Sequence, residues 1–184
     1  MERKKMFKSR RSYYDDYKKT ASGEYIYAGP EYEFISKSGK TRKRWMLETL
    51  LLSVAAFAAV IVPGFLIVPG FNNAYVLLPY AAGILVTGYL LAILIRLASA
   101  KDTVRAWEYD KSVKPLQAAT VIAVLVTAAA AVSEAVYLIG NGADGKVLGA
   151  VLFIVCEVVS AAISVLMALS VKNTEWKKKS SEGV

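Results

Sequence analysis

The stretch PLQAATVIAVLVTAAAAVSEAVYLIGNGADGKVLGAVLFIVCEVVSAAISVLMALSV, Pro115–Val171, decides the fold. It holds two apolar runs parted by the turn Asn141-Gly-Ala-Asp-Gly145. Each run exceeds the roughly 20 helical residues that cross a hydrocarbon core of about 30 Å. Two carboxylates, Glu134 and Glu157, stand inside them. Upstream lie two further apolar runs. The first starts at Trp45 and the second ends near Ala98, with Pro79 in its first turns. The pattern predicts an all-α polytopic membrane protein. Its four transmembrane helices form two hairpins, with spans of about 45–68, 74–98, 115–140 and 147–171.

The flanks set the orientation. Residues 1–44 carry 13 Lys and Arg against 6 Asp and Glu. The loop after the second span adds Lys101, Arg105, Lys111 and Lys114, and residues 172–184 add Lys172 and Lys177-Lys-Lys179. The opposite side holds only Lys146. The excess of cationic residues places both termini in the cytoplasm of a plasma-membrane protein. Trp45, Trp107 and Trp176 all fall at the expected cytoplasmic boundaries, where indole rings anchor the interface. Anionic lipid headgroups are the expected neighbours of the basic tails, and nucleic acid is not. No cleavable signal is read: the first apolar run begins after about 44 residues and is expected to be a retained anchor.

Within residues 1–44, a basic, Tyr-rich cytoplasmic segment, the first 23 residues read as a tail without a core. Strand formers Tyr25-Ile-Tyr27 and Tyr32-Glu-Phe34 flank Ala28-Gly-Pro30, giving a candidate short β-hairpin at 24–34. The charged loop 101–114 is a candidate interfacial helix. A repeat, Ile61-Val-Pro-Gly-Phe65 and Ile67-Val-Pro-Gly-Phe71, closes the first span. It reads equally as a short irregular segment in the outer leaflet or as a Pro-kinked continuation of the helix.

Composition excludes several chemistries. The 184 residues include one cysteine, Cys156, and no histidine. An internal disulfide, a zinc site of the usual Cys/His kind and a His-dependent catalytic centre therefore fall away. No Gly-rich phosphate loop is present. The chain is expected to be non-enzymatic, with no cofactor and no metal.

Two pairs of charges remain. Glu48 and Arg96 lie 24 residues either side of the turn near Asn72, so antiparallel helices bring them to one depth as a structural ion pair. Glu134 and Glu157 differ by about one helical turn in depth, and no Lys or Arg lies level with them. Ala119, Ala123, Thr127, Ala130 and Glu134 share one face. So, broadly, do Ala150, Glu157, Ala161, Ser164 and Ala168. Small residues let helices approach in lipid, so these candidate intramembrane carboxylates belong to packing faces. Buried without a counter-charge, at least one is expected to be protonated. They serve either as neutral groups bonded between helices or as a proton or cation site.

Tyr25-Ile-Tyr-Ala-Gly-Pro30 and Tyr75-Val-Leu-Leu-Pro-Tyr80 resemble patches in small four-span membrane proteins of Gram-positive gut bacteria. That resemblance implies a bacterial plasma membrane and no particular activity. The expected function is an accessory or assembly subunit of a larger membrane complex, such as a transporter, bound to another membrane subunit or a further copy. The alternative is a small proton- or cation-coupled transporter acting as an oligomer through Glu134 and Glu157.

Overall fold

The computed structural model describes residues 16–20, 23–100, 103–142 and 145–179. The basic residues Arg3 to Arg11, Tyr13, Tyr14, Lys101 and Asp144 lie outside the described residues. In chain order the elements are β1 (Tyr17–Lys19), β2 (Tyr25–Tyr27), β3 (Glu31–Ser36), α1 (Arg42–Ile61), α2 (Ala74–Ala98) and β4 (Val104–Arg105). A single turn α3 (Ala106–Glu108), α4 (Lys114–Asn141), α5 (Val147–Lys172) and β5 (Thr174–Lys178) follow. Four helices are long and apolar enough to cross a membrane.

The helices pack by a seven-residue repeat. Met46, Ser53 and Val60 are buried on α1, and Val76, Gly83, Leu90 and Leu97 on α2. Leu116, Ala123 and Ala130 are buried on α4, and Ala150, Glu157, Ser164 and Val171 on α5. A buried row at this period keeps one seam facing its neighbours when helices cross at a shallow left-handed angle. Helix α1 packs against α2 and α5, and α4 packs against the same two, closing a ring. Small side chains set the spacing, as at Gly83, where an added Cβ would meet Val60 and Thr127 at 3.7 Å. Large apolar side chains such as Leu51, Leu85, Leu125, Ile139 and Leu148 point outward. Such a coat is a liability in water and suits a lipid surface.

One end of the bundle is covered by a sheet. Strand β3 pairs antiparallel with β4 on one edge and β5 on the other. This draws together the segments before α1, after α2 and after α5. Phe34 packs on Trp45 and Trp176, with ring centroids 5.0 and 5.4 Å away, and Tyr32 stacks on Tyr109 at 4.0 Å. Trp45, expected as an interface anchor, is only 2 % exposed and fills the bundle end instead. Trp107 and Trp176 are half-buried at the same end. Arg42 donates to the carbonyls of Leu97 and Ala100 at 3.1 and 3.2 Å, capping α2 from the start of α1.

The hairpin differs from the sequence expectation. Tyr25–Tyr27 pairs with Tyr17–Lys19, while Tyr32–Phe34 belongs to the other sheet. Pro30 cannot donate to a ladder, and the Ala28–Pro30 stretch hands the chain from one sheet to the next rather than turning it back. The hairpin is latched by Tyr27, whose hydroxyl accepts from Ala106 N at 3.1 Å, and by Tyr17, whose hydroxyl accepts from Arg105 at 3.2 Å. Burial pushes the Tyr27 phenol upward from its ordinary pKa. The loop 103–113 is not a separate interfacial helix: a wider-wound turn, Tyr109–Val113, runs straight into α4.

At the opposite end α1 stops at Ile61. The Pro-Gly repeat forms two one-turn 3-10 helices, Val62–Phe65 and Pro69–Asn72, each with proline in its first two positions. The irregular alternative therefore holds. Pro63, Val68, Pro69 and Gly70 are buried against the bundle, while Val62, Phe65 and Ile67 face outward.

Candidate functional site

The bundle interior is polar as well as small. Thr49, Ser53, Thr87, Thr120 and Thr127 are buried, as are Glu134, Glu157, Ser160 and Ser164. Most of the threonines are self-satisfied: Thr49, Thr87 and Thr127 donate to the carbonyl one turn back, at Trp45, Gly83 and Ala123. Ser160 instead bonds across helices, donating to Ala56 O of α1 at 3.1 Å. The hydroxyls of Ser53 and Ser164 and both carboxyl oxygens of Glu157 have no protein hydrogen-bond partner, while the Glu134 carboxyl meets the Gly70 backbone.

Both glutamates are 0 % exposed and point into the bundle from α4 and α5. The five α4 face residues expected from sequence, Ala119 to Glu134, are all buried. On α5 the face is corrected in part. Ala150, Glu157 and Ser164 are buried, but Phe153, Ser160 and Met167 complete the row, and Ala161 and Ala168 sit at its margin. Strict alternation of three and four residues from Ala150 to Val171 is the signal that picks Ser160 over Ala161.

The Pro-Gly turns supply the roof. A Cβ on Gly70 would lie 3.0 Å from the Glu134 carboxyl carbon and closer still to Oε2. A Cβ on Gly64 would lie 2.5 Å from the Tyr80 hydroxyl. Each copy of the repeat thus presents bare backbone to the polar tip of a side chain from another helix, an approach only glycine allows. Tyr80, Phe71 and Phe153 form an aromatic triad beneath the turns, with centroids 5.0 to 5.5 Å apart. Phe71 is therefore an inward-packing residue. Tyr75 remains half-exposed. Ile67 O lies over the start of α5, where a Cβ on Gly149 would come within 3.1 Å of Ile67 C and closer to the oxygen.

The second pair does not form. Glu48 is held by Lys40 and by Arg44 Nε at 3.0 Å, whereas Arg96 is exposed and makes no ion pair among the described residues. Depth matched, but face did not: Arg96 precedes the buried Leu97 and points away from the core. Lys40 and Arg44, close in the chain, reach Glu48 first.

No group of three or more metal-ligating side chains occurs among the described residues. Comparison with family models, with curated proteins and with solved structures found no match. The class that the fold defines is a multi-pass α-helical membrane protein.

Proposed function

We propose that this chain is a non-enzymatic accessory or assembly subunit of a larger plasma-membrane complex, such as a transporter, with both termini in the cytoplasm. The observation that carries the reading is the closure of the bundle over its own carboxyls. The Pro-Gly turns roof Glu134, the aromatic triad fills the space below them, and Trp45, Phe34 and Trp176 fill the other end. Carboxyls in such a place set helix packing, since a route for ions needs water or a moving wall. The basic, sheet-bearing end then offers the surface for a neighbouring subunit. Purification of the tagged chain in mild detergent tests this. A discrete complex with another membrane protein is expected, and a lone homo-oligomer counts against it.

A second reading has its own observation. Four buried polar atoms, on Ser53, Glu157 and Ser164, lack protein partners. Such groups inside a membrane are the usual substance of a proton or cation path. Flux of protons or sodium through the purified chain in vesicles, abolished by Glu134→Gln or Glu157→Gln, replaces the first reading with this one.

A further inference from the structure

A groove of about 500 Å³ runs along the sheet-bearing end of the bundle, between the first turns of α4 and strand β5. Its floor is apolar, made by Leu116 and Val171, which are the last buried side chains of their spans at this end. Its walls carry Lys114, Gln117, Trp176 and Lys177. Lys114 opens α4 and Val171 lies in the last turn of α5, the depth at which a spanning bundle passes from hydrocarbon to headgroups.

The charge left over in the groove is positive. The one acid lining it, Glu175, is held by Lys37 at 2.9 Å, an exposed pair. Lys114 is paired with Asp110, one turn earlier. Lys177 and the adjoining Lys178 make no ion pair among the described residues. Strand β5 adds a donor. Lys37 N donates to Asn173 O and Lys179 N to Glu31 O, which fixes the odd-numbered residues of β5 as those bonded to β3. The N–H of Trp176 therefore points from the free edge, beside the groove. An unpaired ammonium group, an amide side chain and a free N–H around an apolar floor fit a phosphate diester with acyl chains attached.

We infer that this groove is a discrete site for the headgroup of an anionic phospholipid, its phosphate at Lys177 and the free N–H of Trp176 and its acyl chains running down past Leu116 and Val171. Basic pockets between spans at the membrane boundary recognise such headgroups, each nearby lysine adding about fivefold in affinity. The site does not depend on whether the chain is an accessory subunit or a transporter.

Trp176 makes the test direct. The full chain, carrying Trp107→Phe so that half-buried Trp176 reports alongside only the buried Trp45, is reconstituted in vesicles of phosphatidylcholine with a minor share of brominated phosphatidylglycerol. Parallel vesicles carry the bromine on phosphatidylcholine. Stronger quenching by the brominated anionic lipid is expected. Lys177→Gln should cut that preference about fivefold, and Lys43→Gln, an exposed change at the same end but outside the groove, should leave it within twofold. Equal loss in both variants means general surface charge and overturns the site. Full displacement by millimolar inorganic phosphate reduces it to a simple anion site and also overturns it. Equal quenching by the two brominated lipids overturns it as well, and leaves the free β5 edge to an extended acidic segment of a protein partner.

Discussion

Replacing Gly70 with alanine tests the link between the Pro-Gly turns and the buried carboxyls. The new methyl would stand 3.0 Å from both the Glu134 carboxyl carbon and Val76 Cγ2, with Oε2 nearer still. Carbon pairs rest at about 3.5–4.0 Å, so two contacts are short by at least half an ångström. Glu134 is 0 % exposed and cannot swing out of the way. Overpacking of this kind costs about 1–3 kcal/mol. Glu134→Ala alone removes a buried carboxyl and leaves a cavity, a net change that the cycle subtracts. In the double variant the methyl enters the vacated space, so the clash with the Glu134 carboxyl disappears while the contact with Val76 remains. The coupling in a double-mutant cycle should therefore be about 1–3 kcal/mol in the stabilising direction. The assay is reversible unfolding in mixed micelles, where 1.4 kcal/mol is about a tenfold shift in the equilibrium constant. Gly140→Ala is the control: nothing lies within 4 Å of its Cβ, and alanine gains up to about 1 kcal/mol in a helix. Additivity within about 0.5 kcal/mol would refute the contact between the turn and Glu134.

Gly149→Ala should destabilise more than Gly70→Ala in the same assay, because it strikes the Ile67 backbone rather than a side-chain tip. Ser160→Ala should cost about 1 kcal/mol by freeing Ala56 O inside the bundle, while Ser133→Ala, whose bond stays within its own helix, should cost less. Glu48→Gln and Arg96→Gln should add in a double-mutant cycle, since Glu48 bonds Lys40 and Arg44; measurable coupling would restore the pairing with Arg96. Lys37 holds the Glu175 carboxylate below its usual pKa. A depressed carboxylate stabilises above its unfolded pKa and loses that contribution as pH falls through the folded value. Protection factors along β5, corrected for the intrinsic exchange rate, should thus fall slightly as pH drops below about 4.3, and Lys37→Ala should remove the step.

The spans and the α4 face were legible because they depend on period and length alone. Hydrocarbon requires an unbroken apolar run, and the seven-residue repeat places Ala119, Ala123, Thr127, Ala130 and Glu134 on one seam whatever the partner. The sheet was not legible, because its strands come from residues 31–36, 104–105 and 174–178, and such short segments acquire meaning only once the helices bring their ends together. Trp45 shows the same limit. A tryptophan at a span boundary reads as an interface anchor, and only the arrival of Phe34 from β3 turns it into core. Glu48 and Arg96 failed for a geometric reason: equal distance from a turn fixes depth and leaves rotation about each helix axis open.

The Pro-Gly repeat and the buried polar tips make sense only together. Proline ends the regular ladder of α1 at Ile61 and so exposes backbone groups that lipid cannot satisfy. A phenol at Tyr80 and a carboxyl at Glu134 are groups that an all-apolar bundle could not house either. Folding the two turns over the bundle brings Gly64 to Tyr80 and Gly70 to Glu134, so each unfavourable feature meets the other out of reach of the hydrocarbon. The Pro-Gly pair of the repeat is then a structural requirement, one proline to start a turn and one glycine to admit a polar tip, used twice, whereas Phe65 faces outward and Phe71 packs inward. A chain needing only a kink in α1 would have placed one proline there and left Ile67–Phe71 free to diverge.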